Sequence, residues 1–170
     1  MTPRLDLSKA PPEAMKAMMG LEAYVRNCRL EPRLIELVKT RASQINGCAY
    51  CLDMHTRDAR ALGETEQRLY LLPAWRESPL YTDRERAALA WTEALTLVSE
   101  THAPDDVYEL ARSQFSEAEL VDLTMLIVAI NGWNRLAIGF RAVHPVREAT
   151  EEPARQAQGS ELRSTARGRR

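Results

Sequence analysis

The sequence predicts an all-α fold. Ala, Leu, Glu and Arg, all strong helix formers, fill nearly every segment. Only seven glycines occur, so few positions break a helix by backbone freedom. No stretch alternates Val, Ile and Thr with polar residues in the manner of a half-buried strand.

The elements follow in order. A first helix starts near Pro11-Pro12, where proline suits a first turn. Met15, Met18, Met19, Tyr24 and Val25 give it an apolar side. Glu31-Pro32 opens a second helix running to about Gln44, with Leu34, Leu37, Val38 and Arg41 at helical spacing. Ile45-Asn46-Gly47 is a break, since Asn-Gly favours turns. A third helix runs from about Cys48 to Leu62 and stops at Gly63. A short one covers Glu66 to Leu72 and ends before Pro73. Thr82-Asp83-Arg84-Glu85 has the form of a capping box. The helix it opens carries Ala88, Leu89, Trp91, Leu95 and Val98. Another short helix starts at Pro104. Ser116-Glu117-Ala118-Glu119 repeats the capping pattern and opens the most apolar helix, ending near Gly139. That helix is too apolar all round for a surface helix, which fits a core or a subunit interface.

Length and composition bound the rest. A chain of 170 residues suits one domain with a real core, here 1–147. From 148 to 170 the chain is polar, with too little apolar surface to offset the entropy of ordering, and reads as a disordered tail. A formal net charge of −1 gives no global case for nucleic acid or an anionic membrane. The first residues lack an apolar run after a basic start, so no signal peptide is expected. The stretch Leu120–Ile130 is interrupted by Asp122 and too short to span a bilayer. The expected address is the cytoplasm. Three cysteines in a reducing compartment argue against a disulfide framework, and a close C-x-x-C pair there points to redox or metal chemistry.

Cys48, Cys51 and His55 lie at i, i+3 and i+7, within a sector of about 60° on a helix that turns about 100° per residue. One face therefore carries two sulfurs and an imidazole. Cys48 falls in the first turn after the Asn46-Gly47 break, where unpaired N–H groups and the helix dipole favour a thiolate. The pair can cycle between dithiol and disulfide across one turn. Glu36 lies twelve residues before Cys48 and approaches the cysteine face if its helix doubles back at the break. Held in an apolar interface, such a carboxylate exchanges protons near neutrality, and His55 can do the same.

Other readings of these residues stay open. The two cysteines could be small buried hydrophobes. Cys48, Cys51 and His55 could ligate zinc, with Glu36, His102 or His144 as the fourth ligand, although structural zinc usually uses a second close pair of Cys or His. Glu36 by itself suits a surface carboxylate. Cys28 is read as a buried structural thiol. Tyr50 lines the site or serves as an interface aromatic. His102 and His144 carry no motif and are read as structural.

The run from Glu36 through Cys48-Ala49-Tyr50-Cys51 to His55 and Arg60 resembles the AhpD-like branch of the carboxymuconolactone decarboxylase superfamily. The family pattern is a Glu, twelve residues to C-x-x-C, then a His four beyond the second Cys. Ile130-Asn131-Gly132-Trp133-Asn134-Arg135 is similar to its second-half signature. The likeness spans roughly Ala17 to Pro145.

The resemblance implies a helical bundle assembled as homo-oligomers, trimers or hexamers, and a peroxidase activity that uses no cofactor, metal or haem. It implies that Cys51 is attacked by peroxide and passes through a sulfenic acid. Cys48 is then the proton donor and resolving partner, and Glu36 and His55 belong to the proton relay. The implied partners are a small hydroperoxide and a thiol or dithiol reductant. Well-studied members carry a second His between the cysteines, where this chain has Tyr50. True decarboxylases of the superfamily generally lack the dithiol, which disfavours decarboxylation. Two alternatives remain beside an alkylhydroperoxidase-like enzyme: a general thiol–disulfide oxidoreductase or redox sensor, and a zinc-stabilised interaction module.

Overall fold

The computed structural model describes residues 2–147, and among them every regular element is a helix. The expected tail, 148–170, lies outside the described residues. A short 3-10 turn, Leu7–Lys9, is capped by the Asp6 carboxylate. Helix α1 is Pro12–Arg26 and α2 is Pro32–Asn46, each opening on proline where its missing N–H costs nothing. Gly47 closes α2 in the left-handed region at φ 68°. Its N–H and that of Cys48 bond back to the Gln44 and Ser43 carbonyls, a Schellman closure. The chain then turns at once into α3, Ala49–Ala61. Gly63, at φ 87°, closes α3 in the same way.

Helix α4 is Glu66–Leu71, capped by the Thr65 hydroxyl. Helix α5 is Asp83–Thr96, α6 Val98–Thr101, α7 Asp105–Gln114 and α8 Glu117–Phe140. The capping boxes at Thr82 and Ser116 both form, so a four-residue pattern sets the start of α5 and of α8. Pro73 does not end its helix cleanly. It sits in a 3-10 helix, Leu72–Glu77, whose early positions tolerate proline.

Helix α2 is the hub, packed against α3, α5 and α8, while α1 lies on α8 and α7 on α5. The main core joins Leu34 and Val38 of α2, Trp91 of α5, and Leu123, Leu126 and Ile127 of α8. Full burial of each such aliphatic chain stabilises by about 1.5–3 kcal/mol. A small separate cluster of Ala42, Cys48, Cys51, Ile130 and Ala137 fills the space between α2, α3 and α8, so the two cysteines are themselves core atoms. Gly132 lets α1 come close to α8: a Cβ there would meet Met18 Cε at 3.1 Å.

Several expectations change. On α1, Met19 and Tyr24 are exposed, and the buried residues are Glu22 and Val25. Glu22 is drawn inward by a buried partner, Lys39 of α2, 2.8 Å away. Cys28 is only partly buried, against the edge of the main core. The apolar stretch at Leu120–Ile130 belongs to a 24-residue helix, long and apolar enough to cross a membrane by composition alone. Here its Leu120, Leu123, Leu126, Ile127 and Ile130 are buried among α2, α1 and α5. Val121, Val128 and Ile138 of the same helix face outward, so it is not buried on all sides.

Candidate functional site

Cys48 is the N-cap of α3, with extended backbone, and not the first helical residue that its sequence position suggested. Its side chain makes no regular capping bond. It still lies where the N–H groups of Tyr50 and Cys51 converge. Cys51 follows one turn later, and Cys51, His55 and Ala59 form the buried stripe of α3. Both sulfurs are reduced, and their residues are 1% and 2% exposed.

The two thiols interact directly and take opposite characters. The Cys51 thiol, beside Cys48 and able to donate to it, is the largest influence lowering Cys48 to about 6. Burial opposes this, and the N–H groups of Cys51 and Tyr50, with the Asn134 amide, add to the lowering. Cys51 is pushed far up, first by the hydrogen bond it gives Cys48, then by burial and by the Cys48 charge. Asn134 and Lys39 pull it partly back. Cys48 is therefore the more acidic of the two thiols, and Cys51 the one that burial and its neighbour hold protonated.

Asn134, on α8 and fully buried, is held by two side chains of α2. Its Oδ1 accepts from Asn46 Nδ2 at 2.8 Å, and its Nδ2 donates to Ser43 Oγ at 3.1 Å. Asn46 also reaches Asn131 Oδ1 at 2.9 Å. With its oxygen engaged by Asn46, the Asn134 amide presents N–H groups to the sulfurs, which favours negative charge there.

Glu36, on α2, meets His55 across the α2–α3 turn: its Oε2 lies 2.8 Å from His55 Nδ1. The pair is 13% and 6% exposed at its side chains. Asp58, one turn beyond His55, completes a group whose ligand atoms all lie within 4.8 Å of one another. Such a group could hold a cation, but the cysteine sulfurs fall outside it. The alternative zinc set of Cys48, Cys51 and His55 is thus not gathered at one point. His102 caps α6 on the surface and His144 lies near the chain end described, neither in this group.

A cavity of about 710 Å³ opens over Cys51 and His55, walled by Met15, Met19, Met54 and Trp133. Tyr50 lies on its rim, 39% exposed. Glu22 reaches its wall, accepting from Trp133 Nε1 at 3.2 Å and from Lys39 Nζ at 2.8 Å. Burial pushes the Glu22 carboxyl up, but Lys39, Trp133 and Arg26 together outweigh it and hold it low. The cavity thus brings an oxidisable sulfur and the His55 imidazole to one mostly apolar wall, with Glu36 bonded to His55.

Of the residues singled out in the sequence, Cys51, His55 and Tyr50 border the cavity, Glu36 reaches it only through its bond to His55, and Cys48 lines a different opening. Sequence reasoning missed Asp58, Lys39 and Glu22, and gave Asn134 no role. Asp58 could have been found, being three residues after His55 on one helix face. The others depend on contacts between distant helices.

Comparison with known proteins gives a consistent likeness. A model of the carboxymuconolactone decarboxylase family matches residues 12–94. The chain is 45% identical over 138 residues to the uncharacterised protein YdfG of Bacillus subtilis, covering 81% of this chain and 94% of YdfG. The crystal structure of an Agrobacterium tumefaciens protein of unknown function, a candidate antioxidant defence protein AhpD, aligns with a TM-score of 0.84 at 53% identity. That alignment covers 86% of this chain and 100% of the other. An uncharacterised peroxidase-related protein from a Silicibacter species has a TM-score of 0.70 at 24% identity, covering 80% and 72%, a likeness of fold.

Proposed function

The chain belongs to the AhpD-like branch of the carboxymuconolactone decarboxylase superfamily, and we propose that it is a thiol peroxidase that reduces hydroperoxides through a Cys48–Cys51 dithiol/disulfide cycle. The observation that carries this reading is a geometric one: the two cysteines lie in one buried cluster at the start of α3, Cys51 opens on the cavity that His55 also lines, and Glu36 is bonded to His55.

The cycle balances as follows. The Cys48 thiolate takes the Cys51 proton, leaving a Cys51 thiolate in the cavity. Cys51 attacks the distal oxygen of the hydroperoxide; the O–O bond breaks, Cys51 becomes a sulfenic acid, and an alkoxide leaves. The alkoxide takes the proton held at Cys48 and departs as alcohol. The Cys48 thiolate then attacks the Cys51 sulfur, forming the disulfide and expelling hydroxide, which His55 and Glu36 protonate to water. Two electrons pass from the dithiol to the peroxide, and an external thiol returns them.

This reading makes Cys51 the attacking sulfur although Cys48 holds the resting negative charge. Cys51 borders the larger, apolar cavity, whereas Cys48 does not. The low pKa at Cys48 then serves to accept the Cys51 proton and later to resolve the sulfenic acid. General exchange with protein disulfides fits less well, because sulfurs 1% and 2% exposed admit small molecules and not a protein surface. A reducing compartment such as the cytoplasm suits a dithiol that must be regenerated.

The test is peroxide turnover with a chemical dithiol as reductant. Cys51→Ser should abolish it. Cys48→Ser should allow a single oxidation that stops at a Cys51 sulfenic acid, trapped by dimedone. Full turnover by Cys51→Ser would remove the assignment.

A further inference from the structure

Each of the two sulfurs opens onto a different space. The cavity over Cys51 does not touch Cys48, and a second cleft, about 340 Å³, touches Cys48 but not Cys51. Tyr50, Ala137 and Ala142 border both and form the partition. The charges differ as well. The Cys51 cavity is lined by Asp6, Glu22 and Arg26, an excess of acid, with Arg26 already 3.4 Å from Glu22. The cleft over Cys48 is lined by two charged residues, Arg4 and Arg141, and no acid.

Both arginines are set by the end of α8. The Arg4 backbone N–H bonds the Phe140 carbonyl at 2.9 Å, and its Nη1 bonds Gly139 O at 3.2 Å. Arg141 is the left-handed cap of α8. Among the described residues neither forms a salt bridge, and both are exposed. Two guanidinium groups thus flank a narrow opening whose floor includes Cys48, at the start of α3, where the helix dipole is also positive.

Resting on the peroxidase reading, we infer that the cleft of Arg4 and Arg141 is the entry for the reductant, and that the reductant is a small thiol carrying a carboxylate or similar anionic group. Such a thiolate attacks Cys48 of the disulfide. A bond forms between its sulfur and Cys48, the Cys48–Cys51 bond breaks, and Cys51 leaves as thiolate. His55, in the Cys51 cavity, is placed to protonate it. The force that raises Cys51 in the resting enzyme comes chiefly from the Cys48 thiolate beside it, and that thiolate is absent while Cys48 is in a mixed disulfide. A second thiol attacks the mixed disulfide, releasing the oxidised reductant and the Cys48 thiolate. The peroxide and the reductant then use separate doors and do not compete.

The experiment starts from the full chain with its disulfide made by diamide, so it does not depend on whether peroxide makes it. Reduction rates are measured with 3-mercaptopropionate, 2-mercaptoethanol and cysteamine, compared at equal thiolate concentration. The cleft predicts the anionic thiol faster than the cationic one by about tenfold at low salt, from two charges acting near the surface. The ratio should fall to about twofold or less in high salt. In Arg4→Gln/Arg141→Gln the anionic-to-neutral ratio should drop at least about threefold. The salt series on the unaltered protein stands as the test if that variant folds poorly. Equal rates, or a faster cationic thiol as the acidic Cys51 cavity would give, overturn the inference. Failure of peroxide to form the disulfide, with the thiol order intact, would instead count against the peroxidase reading alone.

Discussion

Removing the Cys51 thiol should raise the pKa of Cys48. Cys48 falls from an ordinary value of 9.0 to about 6, and the donor in the Cys51 side chain is its largest cause. A hydrogen bond to a charged group is worth about 1.5–3 kcal/mol, which is about one to two pH units. In Cys51→Ala the Cys48 midpoint should therefore move to roughly 7–8, the N–H groups and Asn134 holding it below 9.0. The assay is the pH dependence of iodoacetamide alkylation at Cys48, followed by mass mapping, with thiolate ultraviolet absorbance as a second readout. In the unaltered protein mass mapping should find Cys48 alkylated with a midpoint near pH 6, and Cys51 only at strongly alkaline pH. The sign of the stability effect follows. A thiol lowered on folding adds stability that is full above its unfolded value and is lost as the pH falls through about 6. Cys51, raised on folding, acts oppositely and erodes stability where the unfolded chain ionises its second thiol. The reduced protein should gain stability from about pH 6 toward 8, and Cys48→Ser should not. A Cys48 midpoint near 9 in the native protein, or an unchanged one in Cys51→Ala, would refute the shared-proton pair.

Other outcomes follow from the same contacts. Glu36→Gln removes the carboxylate 2.8 Å from His55 and should slow peroxide turnover by about 10²-fold, read by single-turnover kinetics; a rate within twofold of the parent would take Glu36 out of the relay. Lys39→Met removes the buried partner of the Glu22 carboxylate, leaving Trp133 and the exposed Arg26 to hold it, and should destabilise by about 1–3 kcal/mol in denaturant unfolding. Replacing both partners, Glu22→Leu with Lys39→Met, should recover most of that loss, because no lone charge remains. If the double variant is no better than Lys39→Met, packing and not charge is the cause.

Much of the fold was legible because its signals are local. Thr82 with Glu85 and Ser116 with Glu119 fix two helix starts within four residues, and Gly47 and Gly63 fix two ends through backbone freedom. The errors came where a side chain's fate depends on a distant partner. The apolar side read on α1 from Met15, Met18, Met19, Tyr24 and Val25 leaves Met19 and Tyr24 exposed, while Glu22 is buried beside Val25 because Lys39 of α2 meets it. Cys48 was read one position too far into its helix, because a Schellman closure places the next N-cap immediately after its glycine. In the site, the C-x-x-C spacing and the His beyond it are readable along one helix. The Glu36–His55 contact crosses a turn between two helices, and the resemblance, not spacing, suggested it. Asn134 comes from the far end of α8, and nothing local tells that its amide faces sulfur. The two separate openings over Cys48 and Cys51 are a property of packing alone.

The most direct check is stoichiometric oxidation of the reduced, metal-free chain. One equivalent of an organic hydroperoxide should consume two free thiols, leave Cys28 reduced, and yield a single peptide pair cross-linked through Cys48 and Cys51, together with one equivalent of alcohol. Peroxide consumed with both thiols still free, or an oxidation confined to Cys28, would contradict the proposed cycle.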